Sequence, residues 1–218
     1  MFGQTLYAQW KWNRDFLAFY AFMGFVTPLL MFWIGPSHLG LSSARELVFI
    51  GGVIGAGIAV LSVLAGVTIA WQGYGVDERA GHIYALSLPV TRTRMLGMRV
   101  VSAALLLAIP AIGVWFGATV ALGQAALPPT LHGYAISLAA RALLASWLAH
   151  ACTFALRYAA GRRAALVFAV LIIGFGSLAF ASQAVPSVRA PILRAGDFLI
   201  SSPGPFGVLF GRWTLIDV

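Results

Sequence analysis

Apolar stretches long enough to cross a bilayer, about 20 residues each, recur along this chain and are separated by short segments that gather its charges. Five of them are expected to be spanning helices, at residues 16–35, 47–72, 96–122, 133–156 and 164–183. The first is expected to stop at Gly35-Pro36, with Pro28 as an internal kink site, and the third is interrupted by Pro110. Gly51-x-x-x-Gly55 in the second and Gly113-x-x-x-Gly117 in the third put small residues one turn apart, which lets a neighbouring helix approach closely. For the second span, the cluster Gly51, Gly52, Gly55 and Gly57 fits close packing between protomers better than a selectivity function.

The two ends differ from the middle. Residues 1–15 are expected to form an interfacial helix, with Phe2, Leu6 and Trp10 at four-residue spacing and Trp12, Lys11 and Arg14 suited to the headgroup layer. Residues 16–197 would be the transmembrane domain. From residue 198 to 218 the run is too short for a comfortable span and is broken by Pro203-Gly204-Pro205. That tail reads as an external or re-entrant segment preceding a further helix, as in a truncated chain or a shorter variant.

Composition agrees with a membrane protein. The 218 residues are 61% hydrophobic and 9% charged, with a mean hydropathy of +0.91, more apolar surface than a soluble domain can hide. The net charge of +8 brings nucleic acid to mind, but the basic residues form no stripe or aromatic-interleaved patch. They sit in the gaps between apolar runs, the positive-inside pattern. One side receives Lys11, Arg14, Arg79, Arg92, Arg94, Arg99, Arg157, Arg162 and Arg163, the other Arg45, Arg189 and Arg194. The N-terminus and the loop after the second span are therefore expected on the cytoplasmic side. The N-terminal segment is not expected to be a cleavable signal, since the apolar run 16–35 is too long for one and no A-x-A site follows. The single Cys152 excludes an intramolecular disulfide and a thiolate metal cage, and its place in an apolar helix reads as a small core residue.

Residues 73–99 hold six charges (Asp77, Glu78, Arg79, Arg92, Arg94 and Arg99), whereas residues 47–76 hold none. Asp77 is a candidate N-cap, and Glu78 in a first turn complements the positive helix end. The resulting helix would cover residues 78–88 and stop at Pro89, with Ile83, Leu86 and Tyr84 as a narrow apolar ridge. Thr91 can then cap the third span. Arg92 and Arg94 fall in its first turn, the unfavourable end of the dipole. Two explanations stay open: contact with lipid phosphates, or an acidic or polar face on a cytoplasmic partner.

The order Asp77-Glu78-Arg79-Ala80-Gly81, then Leu86-Ser87-Leu88-Pro89-Val90-Thr91-Arg92, resembles the cytoplasmic loop of the type 2 ABC exporter permeases. The layout from Phe2 to about Ala184 is similar as well. His82 stands where family members often have Thr, and a sixth span is missing. The resemblance implies an all-α, polytopic permease whose loop carries a coupling helix. Asp77, Glu78, Arg79, Gly81, Ile83, Leu86, Pro89 and Arg92 would then engage a separate cytoplasmic ABC ATPase subunit. Glu78 and Arg79 would fix the register, and Gly81 would permit close approach. It further implies a second permease protomer, identical or not, and a bacterial or archaeal plasma membrane. No G-x-x-x-x-G-K-[ST] phosphate loop is present, so ATP would be bound by the partner; no cofactor or metal and no catalytic residue is expected in this chain.

Other constellations carry less. Arg141, about two turns into the fourth span, is expected to snorkel outward, with an anionic substrate or a paired carboxylate as the other readings. His132 and His150 lack a second ligand at helical spacing. The spans contain no Asp or Glu, which argues against intramembrane proteolysis and proton-coupled transport. Phe19, Tyr20, Phe22, Phe25, Phe32 and Trp33 read as lipid-facing and packing residues before a route for an apolar substrate. The function expected is thus a permease of an ATP-driven exporter. A non-transporting membrane scaffold or assembly factor that anchors a cytoplasmic partner is the alternative, and an integral-membrane enzyme the third reading.

Overall fold

A computed structural model describes residues 2–39, 44–79, 91–124, 129–170, 173–174, 177, 207–210 and 213–217. Helix dominates them: α1 (Phe2–Leu39), α2 (Ala44–Arg79), α3 (Arg92–Leu106), α4 (Ala108–Gln124) and α5 (Ala135–Ala160), with β1 (His132–Gly133) before α5 and β2 (Ile216–Asp217) pairing with it antiparallel. Among the described residues three segments are long and apolar enough to cross a membrane: Leu47–Gly75, Thr93–Gln124 and Ala135–Ala160. Of the expected fifth span, residues 164–170 are helical and most of the rest lies outside the described residues.

The interfacial helix and the first span are not separate elements. They form one 38-residue helix, about 57 Å long at 1.5 Å per residue. Pro28 does not break it. Its missing N–H leaves the Gly24 carbonyl without the usual partner, while the Thr27 hydroxyl donates to the Met23 carbonyl at 2.7 Å. Nor does Gly35-Pro36 stop it, since the helix runs on to Leu39. The expected interruption in the third span does occur, at Leu107 between α3 and α4. Pro110 has no N–H for the Leu106 carbonyl, so the ladder fails one turn before the ring.

The chain divides into two compact units, residues 1–154 with 212–218 and residues 155–211. In the first, α1 runs beside α3 and α4 in the same direction, pairing Gln9 with Arg99, Ala21 with Gly113 and Phe25 with Gly117. A core of Leu17, Ala65, Ile69, Ala103, Leu106 and Leu107, flanked by Leu6, Tyr20, Ile109 and Leu143, joins α1, α2, α3, α4 and α5. Lipid is as apolar as these side chains, so close packing and interhelical hydrogen bonds must hold the helices together. Gly66 of α2 supplies such packing, with its Cα against the Ser146 carbonyl of α5. Tyr20 and Thr68 share a hydroxyl hydrogen bond of 2.9 Å between α1 and α2, and Trp147 Nε1 donates to the Ala104 carbonyl at 2.9 Å between α5 and α3. In the second unit Gly161 has φ +52°, a left-handed conformation that only glycine adopts freely, and it follows directly on the end of α5.

Candidate functional site

The acidic-to-basic loop meets the described structure at both of its ends. Asp77, Glu78 and Arg79 are the last residues of α2, so Asp77 is not the N-cap of a separate helix: the second span continues helical past Gln72 and absorbs the acidic pair. Gly81, Ile83, Leu86 and Pro89 lie outside the described residues. Arg92 is the first residue of α3. Thr91 has the extended N-cap conformation (φ −65°, ψ 147°) and its carbonyl accepts the first helical bond, from Met95 N at 3.0 Å. Its hydroxyl caps nothing and pairs instead with that of Thr93 at 3.4 Å.

Arg92 and Arg94 stand at the positive end of α3, where no acidic residue offsets them, and so run against the helix dipole. Asp77 and Glu78 do the same in the last turn of α2, while Arg79, its last residue, suits the dipole. Each opposed charge costs a few tenths of a kcal/mol, about 0.3–1 at exposed sites.

Directly beside this junction the first turns of α1 cross α3 through a polar seam. Thr5, Gln9 and Asn13 recur every four residues on α1 and are buried, as are Arg99 and Ser102 on α3. Gln9 Nε2 donates to the Arg99 carbonyl at 3.2 Å, and Asn13 Nδ2 to the Gln9 carbonyl at 2.9 Å. Gln9 Oε1, Asn13 Oδ1 and Ser102 Oγ have no hydrogen-bond partner. Of the expected apolar ridge, Leu6 packs against the core, while Phe2 and Trp10 stay about two-fifths exposed. The polar stripe beside it is turned into the protein. Its four-residue spacing was present in the sequence but is hidden by the two tryptophans.

At the other end of the same unit, residues 213–217 lie across α2. Leu215 N donates to the Gly51 carbonyl at 3.3 Å, and Tyr134 N donates to the Leu215 carbonyl at 2.9 Å. β2 pairs with β1 in the register His132 to Asp217 and Gly133 to Ile216. A Cβ on Gly55 would fall inside the Trp213 carbonyl, and one on Gly51 would come within 3.0 Å of Ile216 N. Gly51 and Gly55 are thus filled by this chain's own extended segment, whereas Gly113 and Gly117 lie on the backbone of α1. The Arg141 guanidinium carbon stands 5.8 Å from the centroid of the Trp213 ring.

A cavity of about 10 Å³, lined by Tyr20, Gly24, Ser62, Pro110, Val114 and Ser146 among others, lies where α1, α2, α4 and α5 meet, room for at most about one water molecule. The Ser62 and Ser146 hydroxyls donate to the carbonyls of Ile58 and Leu143. His150 is buried, bonded to the Gly66 backbone and stacked on Phe154 at 5.9 Å. Among the described residues no three His, Cys, Asp or Glu side chains converge. Cys152 is exposed on α5, not in the core.

Comparison of this chain with protein-family models, with curated proteins and with solved structures returned no match. What stands is a mostly helical protein with three described segments able to cross a membrane.

Proposed function

We propose that this chain is the permease subunit of an ATP-driven exporter of the type 2 ABC class, seated in a bacterial or archaeal plasma membrane with its N-terminus and the 77–92 segment cytoplasmic. One observation carries the reading: the segment that joins α2 to α3 is flanked by Asp77 and Glu78 in the last turn of α2 and by Arg92 and Arg94 in the first turn of α3, four charges set against the helix dipoles with Arg79 alone in the favourable sense, directly continuous with bilayer-length helices. Charges kept at unfavourable ends fit a surface shaped for a partner better than one shaped for its own stability. A cytoplasmic ATPase engaging Glu78, Arg79, Gly81, Ile83 and Leu86 would act on α2 at its last turn and, through Arg92, on the first turn of α3. The seam between Gln9 and Arg99 would pass that movement to α1. A second permease protomer completes the transporter, and ATP-bound closure of the two ATPases supplies the energy for opening the route outward. The 10 Å³ central cavity then belongs to the closed state.

That closed centre also fits the second reading, a scaffold that anchors a partner and moves nothing. Co-purification with a candidate ATPase, followed by ATP hydrolysis and cargo movement in proteoliposomes, separates the two. Gly81→Trp is expected to leave membrane insertion intact and abolish permease-stimulated ATP hydrolysis; undiminished stimulation would remove the coupling role. Partner binding with neither stimulation nor transport would establish the scaffold.

A further inference from the structure

The register of α1 against α3 and α4 fixes where a bilayer can meet this unit. Gln9 lies against Arg99, Ala21 against Gly113 and Phe25 against Gly117, so each residue of α1 sits level with one about 90 positions later. Leu107, where the α3–α4 ladder breaks, is therefore level with Phe16 and Leu17, and Leu17 and Leu107 share one core cluster. On α2, which runs the opposite way, the pairings of Thr68 with Tyr20 and of Gly57 with Thr27 bring Gln72 to the same height. The chemistry changes at that level. On one side Lys11, Arg14 and Asp15 are exposed, and the contact between helices is the polar seam of Thr5, Gln9, Asn13, Arg99 and Ser102. On the other side glycine meets backbone, and the large exposed side chains are apolar, among them Phe22, Phe25, Ile112 and Phe116.

Thr93–Gln124 holds 32 residues, about 48 Å at 1.5 Å per residue and well beyond the roughly 30 Å of a hydrocarbon core. One of its ends therefore leaves the hydrocarbon, and the register says which. A boundary at Thr93 would set Lys11, Arg14 and Asp15 against lipid about 14–20 Å below it, where exposed charge is costliest. A boundary at Leu107 leaves all three in water, and residues 16–39 of α1 still cover about 36 Å.

We infer that α3 and the first turns of α1 stand outside the bilayer as a stalk about 20 Å tall, whose tip presents Arg92 and Arg94 to an acidic face of a soluble partner and not to lipid phosphates. The headgroup layer is only about 5–7 Å thick on each side, which leaves the tip beyond its reach, and no acidic residue in the first turn of α3 answers the two arginines. The stalk follows from register and charge within this chain; only the identity of the partner, a cytoplasmic ATPase, rests on the exporter reading.

The test uses the full chain in lipid vesicles and a Cys152→Ser background, with one cysteine at a time from Gly97→Cys, Val101→Cys, Ile112→Cys and Phe116→Cys. All four positions are exposed, and the last three are each about half exposed, so burial by the protein does not separate them. A thiol must ionise to react with N-ethylmaleimide, and hydrocarbon suppresses that step. Gly97→Cys and Val101→Cys should react at least about tenfold faster than Ile112→Cys and Phe116→Cys. Equal rates on the two sides of Leu107, or a Val101→Cys as slow as Ile112→Cys, would overturn the stalk. Spin labels on the same cysteines must agree, with collisions from a water-soluble nickel chelate dominant at 97 and 101 and from oxygen at 112 and 116. A fluorophore on Arg94→Cys should stay unquenched by lipids that carry a headgroup nitroxide; quenching would return the tip to the lipid phosphates and overturn its assignment to a soluble partner. A last arm applies a membrane-impermeant maleimide to Gly97→Cys, which is expected to react in inside-out vesicles alone. Reaction in right-side-out vesicles alone would leave the stalk in place and count against the exporter reading.

Discussion

Gly113 of α4 meets the carbonyl of Ala21 on α1 with no side chain between them. One turn further, Gly117 meets Phe25 in the same way, and Gly24 answers from α1 against Val114 and the Pro110 carbonyl. The two helices therefore pack backbone to backbone along a shared direction. Dispersion at such short range replaces the hydrophobic drive that lipid does not provide.

Replacing either glycine of that seam forces α1 away. Gly113→Leu and Gly117→Leu are each expected to destabilise the protein by about 1–3 kcal/mol, the usual range for overpacking. Gly123→Leu, where an added Cβ would meet nothing within 4 Å, is the matched control. Thermal unfolding in one detergent checks the ranking, and equal midpoints for all three would contradict the close packing.

Asn13 offers a different discrimination. It is almost fully buried, spends its amide hydrogen on the Gln9 carbonyl of its own helix and leaves Oδ1 without a partner. Asn13→Leu removes the orphaned oxygen along with the bond and should change stability by no more than about 1 kcal/mol. Asn13→Asp has nearly the same shape but buries a carboxylate where the native side-chain oxygen accepts no hydrogen bond, and is expected to lose several kcal/mol. Urea or detergent-titration unfolding of the two variants gives the comparison, and indistinguishable curves would mean that water reaches this seam.

In the unit of residues 155–211, Gly161 is the position at which backbone conformation decides. At φ +52° a Cβ meets no neighbour, so space is not the constraint. Gly161→Ala should nevertheless cost about 1 kcal/mol through the left-handed backbone alone. The readout is the loss of helicity or of thermal stability relative to Gly174→Ala, which sits in a helical segment with the same open surroundings.

Arg141 and Trp213 allow a coupling measurement. A double-mutant cycle with Arg141→Gln and Trp213→Leu is expected to give an interaction energy of about 0.5–1 kcal/mol. Strict additivity would show that the ring contact is incidental.

The helical character and most long elements were legible in the sequence because an apolar run of bilayer length has few other fates. Boundaries were not. The expected break between the interfacial segment and the first span rests on a change of composition around Asp15, yet helix hydrogen bonding continues across it, and Pro28 and Pro36 are carried inside one helix. Asp77 looked like a cap because caps favour short polar side chains, but a helix already running through Gly75 needs no new start. The glycine spacing marked close approach without stating by what: the same four-residue pattern meets a helix at Gly113 and Gly117 and an extended strand at Gly51 and Gly55. The role of residues 213–217 depends on contacts across more than 150 positions of sequence, such as Leu215 with Gly51, and no local pattern encodes those.

The charges at the α2–α3 junction yield the prediction that bears most directly on function, because stability and activity should move in opposite directions. Asp77 and Glu78 precede Arg79 in the last turn of α2, and Arg92 and Arg94 lie in the first turn of α3. Neutralising a charge at the wrong dipole end relieves an unfavourable interaction, so Arg92→Gln with Arg94→Gln should raise stability by about 0.5–1 kcal/mol in total at low salt, an effect that shrinks as salt screens the helix ends. Asp77→Asn with Glu78→Gln should act in the same sense. If these side chains are kept for a cytoplasmic ATPase, the same substitutions weaken its binding and its stimulation by the permease, most strongly for Glu78 and Arg92. Thermal unfolding at two salt concentrations gives the first quantity, and ATPase pull-down with hydrolysis in lipid gives the second. Loss of stability together with unchanged coupling would place these charges in the architecture of the junction itself, where the dipole argument fails and the partner has no hold on them.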